Sequence, residues 1–323
     1  MNFRTRLIPV CAVALVGLTA CGGSDDTTAA DDSSQTVVTS IYPLDFITTS
    51  VAGDHLDVVS LTPSGVDPHD VELSPQTIGD VQSSDLVIYS ADLQTAIDEA
   101  VEQQASDHSV DVNGAADLIS TGAEHDHDHD HGDEHGDEHE DEHEDEGASD
   151  EVDPHWWLDP ARMADVTQLV SDELSEIDPD NAADYESNAA ALIAELDTLD
   201  GDFEAGLANC EQEDLVTTHA AFGYLAENYG FHQIGVTGIS PEAEPSPARL
   251  AEVTAIVEDA GVDTIYSEVI LGSDIADTIA IETGATVLTL DPLEGLTDAS
   301  AGSDYLEVMR SNLDALTEGQ HCS

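Results

Sequence analysis

Histidine and carboxylate side chains are the residues whose types and spacing point to chemistry in this chain. Seven of the fourteen histidines fall in one low-complexity run, "EHDHDHDHGDEHGDEHEDEHEDE" (Glu124–Glu146), as His125, His127, His129, His131, His135, His139 and His143. Four further candidates stand apart, each just after an expected strand or in a Pro-punctuated loop near one: His69 in "PSGVDPHDVELSP", His155 in "DPHWWLDP", His219 at the end of "LVTTH", and Asp291 in "TVLTLDPLEG". Three imidazoles and one carboxylate form a donor set of borderline softness that suits zinc. No stretch is diagnostic alone. A single histidine after proline is commonly a surface or capping residue, Asp-Pro is a common turn start, and the helical H-E-x-x-H spacing is absent.

The run and the scattered residues suit different work. The run has no hydrophobic side chain, so it cannot bury itself, and it is expected to be disordered without metal. Ordering it costs roughly 1–2 kcal/mol per residue. It therefore reads as an accessory element that captures or senses several metals weakly, with a solvated acidic loop as the plainer alternative. A tight site needs ligands in fixed geometry, which only a folded scaffold supplies.

That scaffold reads as α/β, two similar lobes of alternating strands and helices. In the first, "TVVTSI" (36–41), "DVVSLTP" (57–63) and "DLVIYS" (85–90) are β-branched runs bounded by turn residues, with helices over 43–52 and 74–83 between them. A helix over 161–177 follows "DPHWWLDP". From 179 to 208 the small and apolar residues Ala182, Tyr185, Ala189, Leu192, Leu196, Leu199, Phe203 and Leu207 recur at helical spacing, predicting one long helix capped by Asp178 with Pro179 at its first position. The second lobe repeats the alternation with strands at 215–219, 231–236, 264–269 and 286–292 and a last helix over 304–316. The expected division is a signal over 1–20, a tether over 21–35, a first lobe over 36–178, a linking helix over 179–209 and a second lobe over 210–323. Ligands of open α/β sheets bind beyond the carboxyl ends of the strands, so residues there can converge from both lobes on one cleft.

Charge and cysteines bound the rest. The chain has 71 acidic and 5 basic residues, for a formal net charge of −66. Such a surface repels nucleic acid and anionic lipid and attracts cations. Acidity on this scale fits a high-salt habitat, where screening relieves self-repulsion. Arg4 and Arg6 followed by an apolar run over 7–18 read as a secretory signal, too short to span a bilayer. It ends at "LTACG", where small residues before Cys21 look like a bacterial lipobox, with Cys21 as lipid anchor and only membrane attachment. Cys210 and Cys322 then remain as an even pair in an oxidising compartment, and a disulfide is expected between them.

The stretches "SGVDPHDVELSP", "DPHWWLDP", "THAAFGYLAENYG", "GISPEAEPSPARL" and "LDPLEGL", in this order, resemble the zinc-binding solute-binding lipoproteins of bacterial ABC importers (the ZnuA type), over about residues 37 to 322. The resemblance implies metal held between two lobes bridged by a rigid helix, with His69, His155, His219 and Asp291 as ligands. It implies a monomeric extracytoplasmic receptor, not an enzyme, that delivers Zn2+ to a permease and its ATPase. Manganese-binding relatives carry Glu where this chain has His219, which favours zinc. A manganese or iron receptor of the same fold, and a surface zinc buffer not coupled to transport, are the rival readings. Two stretches depart from the family pattern. "SADLQTAID" (90–98) replaces a Gly-rich segment, and "YSEVI" stands where a Glu-Pro pair is usual, so Glu268 is left outside the ligand set.

Overall fold

The computed structural model describes residues 35–120, 152–241 and 244–323. The signal, Cys21, the tether up to residue 34 and the histidine run with His125 to His143 lie outside the described residues.

Alternation of short β-branched strands with helices leaves one economical arrangement, a parallel sheet with helical crossovers, and it occurs twice. The first sheet contains β1 (Thr36–Thr39), β2 (Asp57–Ser60), β3 (Leu86–Tyr89) and β4 (Ser109–Asp111) in the order β2-β1-β3-β4. The second contains β5 (Asp214–Thr217), β6 (His232–Gly235), β7 (Thr264–Ser267) and β8 (Thr286–Thr289) in the corresponding order β6-β5-β7-β8. Every pairing within both sheets is parallel. The central strands are the apolar ones: Val37, Val38, Val87 and Ile88 are fully buried in one sheet, and Leu215, Val216 and Ile265 in the other.

Around the first sheet lie α1 (Tyr42–Ala52), α2 (Pro75–Ser83), α3 (Thr95–Gln104) and α4 (Asn113–Ala116), followed by α5 (Pro160–Ile177). The strand β4 and the helices α3 and α4 are additions to the sequence reading; the segment "SADLQTAID" enters α3 through a turn at Asp92, whose φ is 66°. The second sheet is covered by α7 (Gly223–Tyr229), α8 (Pro247–Ala260), α9 (Asp274–Thr283) and α10 (Tyr305–Gly319). The long helix is α6, Ala182–Leu207, of 26 residues. Its stripe Tyr185, Ala189, Leu192, Leu196, Leu199, Phe203 and Leu207 is buried throughout, each large side chain contributing about 1.5–3 kcal/mol. The helix packs against α1, α5 and α10, so one core continues from the first sheet through α6 into the second lobe.

Its start differs from the expected one. Asp178 terminates α5 instead of capping α6, and α6 begins at Ala182 after Asn181. The Asp178 carboxylate holds the intervening turn, accepting from Asn181 Nδ2 and from the Tyr185 hydroxyl, both at 2.6 Å. A carboxylate that can reach a tyrosine one turn into the next helix is better satisfied there than as a cap. Cys210 and Cys322 are joined in a disulfide across a sequence separation of 112. It ties the chain's end after α10 to the segment after α6. Among the described residues no helix is long and apolar enough to cross a membrane.

Candidate metal centre

Each candidate histidine is delivered by a different local device. His69 sits in a 3₁₀ turn, Pro68–Asp70, whose preceding residue Asp67 accepts the His69 N–H at 2.9 Å. His155 is set by the two tryptophans after it. Trp156 Nε1 donates to Ser90 Oγ in the first lobe at 3.4 Å, and Trp157 Nε1 donates to the Pro292 carbonyl in the second at 2.7 Å. Both indoles are fully buried, so "DPHWWLDP" is wedged between the lobes with its histidine fixed. His219 lies two residues beyond the end of β5, at the carboxyl edge of the second sheet.

These three histidines converge. Their donors, with one carboxylate oxygen of Glu294, all lie within 4.8 Å of one another. Glu294 Oε1 stands 3.2 Å from His69 Nε2, 3.3 Å from His155 Nε2 and 3.5 Å from His219 Nε2, and the Nε2 atoms of His69 and His155 are 3.3 Å apart. A tetrahedral ion bound at about 2.0–2.1 Å from each donor requires donor separations of about 3.3–3.4 Å. Four of the six edges, at 3.2–3.5 Å, lie close to that figure, and all the donors stay within 4.8 Å.

The fourth ligand expected at Asp291 is not among the converging donors; Glu294, three residues on, takes its place. Asp291 is buried, but it anchors the loop. Its Oδ1 accepts the Leu293 N–H at 2.9 Å, while its backbone N–H and carbonyl are both bonded to the Asn312 side chain on α10, at 2.9 and 2.7 Å. Leu293 then adopts φ 57°. This left-handed step reverses the chain and brings Glu294 to the histidines. "DPLEG" holds two acids, and only the turn between them decides which one faces the cleft.

Behind the donors lie two more buried carboxylates. Asp153 Oδ1 is 2.7 Å from His155 Nδ1 and also accepts the His155 N–H at 3.0 Å. Glu268 Oε1 is 2.7 Å from His219 Nδ1 and accepts from the His219 N–H at 3.1 Å and the Thr218 hydroxyl at 2.5 Å. Glu268 thus stands outside the donor set, as the sequence reading has it, but fixes the ring of a donor. Carboxylates behind metal-binding imidazoles fix tautomer and orientation and raise ligand basicity. The sequence signal for this shell is an acid two residues before His155 and an acid at the end of β7; neither is distinctive without the fold.

The electrostatics follow from this crowding. Burial is the largest influence on His219 and favours its neutral ring, but Glu268 and Glu294 outweigh it and push the pKa up to about 10. In His155 burial is likewise overcome, by Asp153 and Glu294, and the pKa is raised. Burial would also raise Glu294, yet its contacts with His155, His219 and His69 hold it well below the ordinary carboxylate range. Several buried polar atoms here lack a hydrogen-bond partner, among them both ring nitrogens of His219, whose close approach to Glu268 is an ion-pair contact without hydrogen-bond alignment, and Oε2 of Glu294. Orphaned buried polar groups are costly. A cation among them resolves that cost, and the donor set of three imidazole nitrogens and one carboxylate oxygen fits zinc.

The cluster opens to solvent along His69, the one donor residue that is not fully buried. A cleft of about 370 Å³ reaches it between Asp92, Leu93 and Pro154 on one wall and Ile239 and Ser240 on the other. A second hollow of about 590 Å³ beside His69 carries Asp70, Glu72 and Glu99. An acidic approach favours cations over anions.

Comparison with known proteins agrees with this geometry. Residues 37–319 match the family described as zinc-uptake complex component A, periplasmic. The chain is 36% identical over 315 residues to the high-affinity zinc uptake system protein ZnuA of Bacillus subtilis (strain 168), covering 96% of this chain and 95% of that protein. It is 39% identical over 284 residues to the zinc-binding protein AdcA of Streptococcus pyogenes serotype M3, covering 87% of this chain but 55% of AdcA, so it spans about half the length of that relative. The crystal structure of Zn(II)-bound AdcA from Streptococcus pneumoniae superposes with a TM-score of 0.71 at 33% identity, over 88% of this chain and 57% of that one.

Proposed function

The chain belongs to the zinc-uptake complex component A family, and from that premise we propose that it is an extracytoplasmic zinc receptor that hands Zn2+ to an ABC importer. The observation that carries the reading is the convergence of His69, His155, His219 and Glu294, with Glu294 Oε1 within 3.5 Å of all three imidazoles. Zinc is the cargo. Three imidazoles favour it over manganese, whose harder character suits carboxylate and water. Four protein donors leave no open position for an activated water, which separates a receptor from a hydrolase.

Around that centre the remaining parts take their roles. Cys21 carries the lipid that holds the protein at the outer face of the cell membrane, and the receptor acts as a monomer that docks on a permease served by an ATPase. The histidine run supplies weak accessory sites that raise the local zinc concentration near the cleft, as linked sites do.

The deciding experiment is metal content and competition titration of the full protein after native purification. A single tight zinc is expected, displaced only weakly by manganese. Glu294→Gln should weaken it more than Asp291→Asn, and deletion of 124–146 should remove weak sites while the tight one stays. Preference for manganese, or loss of the tight site on that deletion, overturns the reading.

A further inference from the structure

The motif "THAAFGYLAENYG" contributes His219 to the metal centre, yet its middle does something else. Tyr224, on α7 of the second lobe, is 1% exposed. Its hydroxyl donates to the Asp153 carbonyl at 2.6 Å and accepts the Ile119 N–H at 3.0 Å. Those two partners come from the other side of the cleft and pair with one another. The Asp153 N–H donates to the Ile119 carbonyl at 3.1 Å, and Ser120 and Val152 form an antiparallel bridge beside them. One tyrosine hydroxyl therefore satisfies the remaining N–H and C=O of the pair.

The ring itself is held in place. The Arg162 guanidinium lies 4.8 Å from the Tyr224 centroid, while its Nη1 donates to the Ala116 carbonyl at 2.6 Å and its Nε to Asp159 Oδ2 at 3.2 Å. Of the chain's 5 basic residues, in a total that includes no lysine, this one lies partly buried against the ring. Next to Tyr224, Gly223 abuts the Asp153 carboxylate: a Cβ at that position would stand 2.5 Å from Asp153 Oδ2. The second lobe can approach this carboxylate closely only because residue 223 has no side chain. The other oxygen of the same carboxylate is the one at His155 Nδ1.

We infer that Gly223 and Tyr224 are positioning residues for the metal centre: from the second lobe they hold Asp153, and through it the His155 imidazole, in the orientation that binds metal. The inference rests on the reading of the cluster as a metal receptor. A ligand delivered by one side of the cleft is set by contact with the other, so docking of the two lobes and metal affinity are coupled. Outer contacts of this kind typically matter about 10–100-fold in metal affinity.

The test uses the full protein, with zinc affinity from competition against a chromogenic chelator and thermal unfolding of the metal-free form measured alongside. Tyr224→Phe keeps the ring over Arg162 and should raise Kd by about tenfold; Gly223→Ala, which displaces the carboxylate itself, should raise it by at least as much. Tyr229→Phe removes a hydroxyl bonded to Asp200 at 2.7 Å and should leave Kd unchanged. Combining Tyr224→Phe with Asp153→Asn should weaken binding no further than Asp153→Asn alone, because both act through the same imidazole. The ligand-field bands of the cobalt-substituted Tyr224→Phe protein should shift, which a general loss of stability does not produce. Wild-type affinity in Tyr224→Phe, or full additivity with Asp153→Asn, overturns the inference. If Gly223→Ala does not fold, Tyr224→Phe decides alone. A wild-type protein without a tight zinc sinks the receptor reading itself, whereas tight wild-type binding unaffected by these variants sinks only the positioning role.

Discussion

The two sheets share strand order and direction, yet the ligands beside them are held very differently. His69, beyond β2, is carried by a 3₁₀ turn in a loop, lines both hollows at the cleft and, among the described residues, has no carboxylate against its Nδ1. His219, beyond β5, is fully buried with Glu268 Oε1 2.7 Å from its Nδ1. The same topology thus offers an accessible ligand on one wall and a preorganised one on the other. The asymmetry leaves His69 as the donor nearest the solvent, with His155, His219 and Glu294 buried behind it.

The comparison breaks most sharply at His219. His219→Ala leaves Glu268 and Glu294 facing each other in a buried space, and zinc affinity should fall by well over the roughly 100-fold upper range of outer-shell changes; equal losses for His69→Ala and His219→Ala in calorimetric titration would contradict the asymmetry. Next in size, Glu268→Gln should weaken zinc by about 10–100-fold while leaving one ion bound at saturation, read by the same titration.

Acidity supplies a graded version. The metal-free His219, pushed up to about 10, carries a proton that zinc must displace, so affinity should fall about tenfold per pH unit for each such proton as pH is lowered. The linkage to stability has the opposite sense in the metal-free fold. A pKa raised above its unfolded value of about 6.5 stabilises fully below that pH and loses its contribution as pH rises through about 10. Titrations from weakly acid to weakly alkaline buffer, with parallel melts, check both signs.

The smallest effect on zinc should come from the disulfide. Cys210–Cys322 lies near the start of β5, where Gln320 is bonded to the Asp214 carbonyl, at the opposite end of that strand from His219. Its reduction should cost about 2–5 kcal/mol of stability with zinc affinity unchanged.

Much of this was legible in residue order. β-branched runs between turn residues marked seven of the described strands, and β4 escaped because "SVD" is too short and polar to show a pattern. The stripe from Tyr185 to Leu207 marked α6, although Asp178 and Pro179 imitated its start. The three histidines stood out because each follows a strand or lies in a proline-bounded loop, and family resemblance joined them into one site.

The carboxylate did not. "DPLEG" presents an aspartate and a glutamate three positions apart, and the strand end and the family resemblance pointed to Asp291. The left-handed step at Leu293 and the bonds from Asn312 assign Asp291 to the loop and Glu294 to the histidines. Likewise Asp153, Glu268, Gly223 and Tyr224 take on meaning only beside partners far away in the chain. Periodicity, composition and strand ends are local properties, so the sequence by itself determined the lobes, the bridging helix, the paired cysteines and the imidazoles. Which acid joins the imidazoles, and what lies against each ring, depends on distances of a few ångströms between separate segments, and those exist only once the two lobes have packed.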